Sequence, residues 1–165
     1  MLKQIKLTLK SMNEQSPNVF WGYNLYGALM QKIDPQYADF LHTTGLKPIN
    51  HYFFSQSKDD PHFYWVINLL GEEAIENIEK ILAETDSFSI ENHNTELKII
   101  NKEIVHDLSE MDFVEQHLVK GDYKKNLTLT TVTPCSFKTN ESYCIFPTAE
   151  LIIKSACLLY TSRCV

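Results

Sequence analysis

Glycine is scarce in this chain, with five residues in 165, and none of Gly22, Gly27, Gly45, Gly71 and Gly121 falls in a G-x-G-x-x-G cluster. The backbone-amide cradle that such clusters build around phosphates is therefore not written here. Arginine is scarcer still: Arg163 stands alone beside fourteen lysines. No stretch approaches the roughly 20 apolar residues that span a bilayer. The start, Met1-Leu2-Lys3-Gln4-Ile5-Lys6-Leu7-Thr8-Leu9-Lys10, alternates apolar and polar residues where a secretion signal needs a continuous apolar run. We read the protein as cytoplasmic, with no membrane partner. Its four cysteines, Cys135, Cys144, Cys157 and Cys164, lack C-x-x-C spacing and a matching histidine pair. A zinc site is not expected, and the cysteines read as inert thiols in a reducing compartment.

What is present is an ordinary globular composition, 44% hydrophobic and 22% charged, in a length that holds one domain, or one small domain and part of another. The net charge of −6 looks wrong for a nucleic-acid binder until its distribution is considered. Residues 1–58 carry six lysines against three acidic residues, residues 59–122 four against sixteen, and residues 123–165 five basic against two. The acidic middle reads as the solvated face of a helix bearing Glu72, Glu73, Glu76 and Glu79. The basic ends remain free to meet a polyanion.

Periodicity orders the elements. A first strand is expected over 2–10, where Ile5, Leu7 and Leu9 alternate with Lys6, Thr8 and Lys10, so that lysines line the open face or edge of a sheet. Leu25, Leu29 and Ile33 predict a helix over about 22–33. Asp34-Pro35 then starts a second short helix through Ala38, Leu41 and His42, closed by Gly45. Strands follow at 50–55 and 62–69 around Lys58-Asp59-Asp60-Pro61, an amphipathic helix at 72–84, and strands at 87–91 and 95–105. This β-α-β-β-α-β order predicts an α+β, ferredoxin-like, RRM-like domain over 1–105. Beyond it, an amphipathic segment from Met111 to Leu118, a strand from Leu127 to Thr133 and a helix opened by Phe146-Pro147-Thr148 read as linker and start of an incomplete second ferredoxin-like domain over 106–156.

The last nine residues, Cys157-Leu158-Leu159-Tyr160-Thr161-Ser162-Arg163-Cys164-Val165, resemble the translation of a transposon-end sequencing adapter joined to its inverted copy, and they hold the only arginine. They are expected to be a non-native tail, with the natural gene continuing past Ala156.

Two segments carry a family resemblance. The first is Tyr23-Asn24-Leu25-Tyr26-Gly27-Ala28-Leu29-Met30, followed by Asp34-Pro35-Gln36-Tyr37-Ala38-Asp39-Phe40-Leu41-His42 and Gly45-Leu46-Lys47-Pro48. The second is Thr133-Pro134-Cys135-Ser136-Phe137-Lys138, then Tyr143, Phe146-Pro147 and Leu151-Ile152-Ile153-Lys154-Ser155. In this order they resemble the CRISPR-associated repeat-RNA processing endoribonucleases of the Cas-six family, within the RAMP superfamily, over residues 1 to about 156. The resemblance implies two ferredoxin-like domains in tandem and a glycine-rich RNA-gripping loop in the later half. That loop is missing here, which fits a C-terminally truncated chain and an impaired enzyme.

The resemblance also implies a chemistry: metal-independent cleavage in which a ribose 2′-hydroxyl attacks the adjacent phosphate and leaves a cyclic phosphate. Such a step needs proton transfer near neutral pH, for which imidazole is suited, and positive charge beside the developing phosphorane. His42 matches the family's catalytic histidine, and Lys47 lies roughly where some members place a catalytic lysine. The tyrosine of some members aligns with Met30, which cannot do that work, so Tyr26, one turn earlier, becomes the third candidate. Lys138, Lys6 and Lys10 are the candidate RNA contacts. No cofactor is expected; the partners would be CRISPR repeat RNA and, as a further option, other subunits of a CRISPR effector complex. Apart from the resemblance, His42 reads as a dipole-favoured helix end, Tyr23 and Tyr26 as core or edge aromatics, and Lys138 as a solvated loop lysine. The competing functions are a non-catalytic RNA-binding subunit of the same superfamily and a small-molecule ferredoxin-like domain.

Overall fold

The computed structural model describes residues 1–13, 18, 21–43, 47–57, 60–90, 94–120, 128, 137–139, 142–144, 146 and 148–153. Alternation in β1 (Leu2–Ser11) sets the architecture: Ile5, Leu7 and Leu9 are buried while Lys6 and Thr8 on the opposite face are half-buried. The next elements are α1 (Trp21–Met30), α2 (Pro35–Thr43), β2 (Ile49–Phe54), β3 (His62–Leu70), α3 (Glu72–Glu84), β4 (Ser87–Ile90) and β5 (Thr95–Leu108). They build a five-stranded sheet of order β2-β3-β1-β5-β4, in which every pairing is antiparallel. Two register irregularities between β1 and the fourteen-residue β5, at Gln4/Ile5 and Thr8/Leu9, curl it.

One hydrophobic cluster joins a single sheet face to all three helices. Leu7, Leu9, Phe53, Phe63, Trp65, Ile67, Phe88 and Leu97 from the strands meet Trp21, Leu25, Leu29, Tyr37, Leu41, Ile75, Ile78 and Leu82 from the helices. The mixed α/β character and the elements read from periodicity are present, with β5 running three residues beyond its expected end.

The expected helix over 22–33 stops at Met30. A shortened turn, with the Lys32 amide donating to the Leu29 carbonyl at 3.0 Å, precedes Asp34, whose Oδ1 accepts from the amides of Gln36 and Tyr37 at 2.9 and 3.3 Å. Pro35 disfavours helical geometry in the residue before it and suits the first helical position, so one apolar stripe becomes two helices. Gly71 takes φ 89° to turn β3 into α3, a conformation that side chains strain to reach.

The acidic helix face is solvated at Glu72, Glu73 and Glu76. Glu79 differs, since the Lys3 ammonium reaches its carboxylate at 2.8 Å and that of Asp107 at 3.1 Å.

After β5 come α4 (Glu110–Val114), opened by a Ser109/Asp112 capping box, and a π-helical turn (Glu115–Val119), all exposed. The hairpin of β6 (Phe137–Thr139) and β7 (Ser142–Cys144) and a helical turn over 149–153 lie further on. The expected strand from Leu127 to Thr133 falls almost wholly outside the described residues, and the nine-residue tail entirely so. Among the described residues no helix is long and apolar enough to cross a membrane.

Candidate functional site: a cavity at the end of the second helix

His42 enters the last turn of α2 because Tyr37 and Leu41 turn inward on the same helix, which leaves its imidazole exposed. That ring lines a cavity of about 800 Å³ with Tyr23, Tyr26, Gly27 and Met30 of α1, Lys32 just beyond it, and Ser87 to Ile90 of β4. Two of the three catalytic candidates, His42 and Tyr26, therefore border the same cavity. Lys47 does not line the cavity, but its ammonium donates to the carbonyl of Leu41, the residue before His42. It satisfies a carbonyl at the C-terminus of α2, where cations are favoured.

Tyr26 is half-buried, and burial pushes its hydroxyl up from the ordinary phenol range. It therefore stays protonated at neutral pH and can donate, not abstract, a proton. Its ring stacks on His51 of β2, centroids 4.7 Å apart and planes 13° from parallel. His51 in turn accepts at Nδ1 from Trp65 Nε1–H at 3.2 Å. An accepting Nδ1 is an unprotonated one, and burial lowers the pKa of His51 below the usual imidazole value, in agreement.

A measurable pH effect follows. In the unfolded chain His51 takes up a proton near pH 6.5, whereas the folded chain resists it, so stability is fully present above that pH and declines as pH falls through and below it. Thermal melting between pH 8 and 5 should show a steeper acid loss in the parent than in His51→Gln. Equal slopes would mean that His51 is not held neutral.

The remaining candidates lie elsewhere. Lys6 and Lys10 stand on the sheet face opposite the helices, with the Lys6 ammonium 4.8 Å from the Tyr64 ring centroid. Lys138 is in β6, and its side chain lies outside the described residues. The sequence reading passed over Lys32 and Ser87, and it gave His51, within the strand expected over 50–55, no part in the site. Lys32 follows the last turn of α1 and could have been found as a cation near a helix C-terminus. The other two reach their places through long-range pairing, which leaves no local signal. Among the described residues no three His, Cys, Asp or Glu side chains are grouped to hold a metal ion.

No family model matches the chain. A curated relative, the CRISPR-associated endoribonuclease Cas6 of Streptococcus thermophilus, is 25% identical over 157 residues, which is 93% of this chain and 60% of the relative. The chain thus spans less than two thirds of that protein's length. Among solved structures, an RAMP protein binding different RNA substrates has a TM-score of 0.59 at 12% identity, covering 95% of this chain and 68% of its own. A Cas6 product complex has a TM-score of 0.51 at 15% identity, covering 62% and 39%. The mixed α/β fold with its curled antiparallel sheet is similar to the folds of these two structures. The sequence match and the likeness of fold point to the same group of proteins.

Proposed function

We propose that the chain belongs to a metal-independent endoribonuclease that processes CRISPR repeat RNA, with chemistry in the α1–α2–β4 cavity. The observation that carries this reading is His42: an exposed imidazole at a helix end, on the wall of a cavity that also takes in Tyr26 and Lys32, one residue from a carbonyl held by Lys47. His42 accepts the ribose 2′-hydroxyl proton as that oxygen bonds to phosphorus. The bond from phosphorus to the 5′-oxygen breaks, and Tyr26 or the protonated His42 returns a proton to the leaving oxygen. Lys32, which lines the cavity, steadies the phosphorane charge, and Lys47, outside the lining, holds the Leu41 carbonyl beside His42. Lys6, Lys10 and Lys138 contact RNA phosphates.

The strand order, with β1 between β3 and β5, supports the ferredoxin-like reading of residues 1–105, β4 being an added edge strand. Residues 106–156 are read as linker and the opening of a second such domain.

The test is the product. Single-turnover incubation of the full-length protein, in excess over a labelled repeat RNA and in EDTA, should yield a 2′,3′-cyclic phosphate and a 5′-hydroxyl, resolved by mass spectrometry. Binding without cleavage would favour the non-catalytic RNA-binding subunit.

A further inference from the structure

The sheet face turned away from the helices has a pattern of its own. Register places its side chains in cross-strand rows. One row runs Phe54–Tyr64–Thr8–Asn101, the next Tyr52–Val66–Lys6–Glu103, and the row on the other side of the first His62–Lys10–Lys98–Ser87. Tyr52 and Phe54 have ring centroids 5.8 Å apart at 23°, and Phe54 and Tyr64 5.3 Å apart at 30°. All three rings are half-buried, while Val66, next to Tyr52 in the register, is 3% exposed. These rings take no part in the helix-side core.

Charge beside the rings is arranged for an anion. Lys10 and Lys98 are direct cross-strand partners, both are exposed, and neither has an ion pair among the described residues. Like charges directly opposite one another cost stability in a sheet, and a phosphate between them would reverse that cost. Their row ends at Ser87, which lines the His42 cavity. Three carboxylates temper the field: Glu103 opposite Lys6, Glu96, whose Oε1 accepts from Ser87 Oγ at 2.6 Å, and Asp60, which lies 3.3 Å from His62 Nδ1 and accepts from the Tyr64 hydroxyl. From β3 to β4 the row crosses three strand spacings, about 14 Å.

We infer that Tyr52, Phe54 and Tyr64 form a stacking platform for unpaired RNA bases, and that Lys10 and Lys98 lead the strand's phosphates from this platform over the β4 edge toward the cavity. Stacking on aromatic rings beside a basic track is how proteins hold single-stranded RNA without reading a duplex. The inference rests on the RNA-processing reading for its direction of travel, but its test does not depend on cleavage.

That test is fluorescence anisotropy of a labelled ten-nucleotide oligoadenylate with the whole chain. Phe54→Leu and Tyr52→Leu keep apolar bulk and remove the π-face; each should weaken binding about 10-fold, with an unchanged melting temperature. Tyr52→Phe should bind within about twofold of the parent because it keeps the stacking face. Lys10→Gln and Lys98→Gln should each lower the log–log salt slope by about 1. Leucine variants that bind like the parent, or an equal affinity for duplex RNA, would each overturn the platform. Failure of the EDTA cleavage assay would sink the nuclease reading alone, because oligoadenylate binding is scored separately.

Discussion

In the full-length protein, replacing His42 with alanine lowers the single-turnover rate of repeat-RNA cleavage by about 100-fold or more, the usual size of an acid-base contribution. The magnitude can be assigned to chemistry because of where the residue sits. His42 is exposed at a helix end, and substitutions on such surfaces change stability by no more than about 0.5 kcal/mol. His42→Ala should therefore melt with the parent and bind RNA as the parent does. Lys47→Ala offers a graded comparison: it removes one cation and also frees the Leu41 carbonyl, so its rate loss is accompanied by a small loss of helix stability. Tyr26→Phe keeps the stack on His51 and removes only the hydroxyl, so a fall in rate without a fall in stability would assign that hydroxyl a proton. A His42→Ala rate equal to the parent's would end the catalytic proposal and leave the RNA-binding subunit as the better reading.

Local pattern carried much of this fold. Strand alternation at Ile5, Leu7 and Leu9, and the spacing of Leu25 and Leu29, are short-range signals that packing then obeys. The break at Asp34-Pro35 was legible for the same reason, because a cap and a proline act on their immediate neighbours. Harder to read was any consequence of which strands meet. Lys10 facing Lys98, and Tyr64 falling between Phe54 and Lys6, depend on pairings between residues ten or more positions apart, some of them shifted by the β1–β5 irregularities. The candidate site divides along the same line. His42 was found through the residues around it. His51, a single histidine in a strand, gained its place only when β2 paired with β3 and brought Trp65 within reach. Net charge misled in a further way, because the acidic residues of α3 lie on the helix side of the sheet while Lys6, Lys10 and Lys98 lie on the other.

Trp65→Ala should cost about 3–5 kcal/mol of stability, the range for truncating a large buried aromatic, and lower the melting temperature by roughly 10 °C in a chain of this size. Trp65 is 0% exposed, sits centrally in β3, and meets Phe88 edge-on with centroids 5.3 Å apart. Alanine there removes the indole from the core and also loosens two walls of the cavity. Phe88 loses its packing partner beneath β4, and His51 loses the N–H that holds its ring against Tyr26. Trp65→Phe separates these effects, since it keeps most of the buried ring and deletes the donor, at about 1 kcal/mol for the lost hydrogen bond plus a packing term for the smaller ring. In that variant His51 no longer has to keep Nδ1 unprotonated for Trp65, so protonation on acidification costs less and the acid loss of stability should become shallower than in the parent. A Trp65→Ala protein that melts within about 2 °C of the parent would show that this core does not depend on the central indole, and the placement of β3 between β1 and β2 would have to be revised.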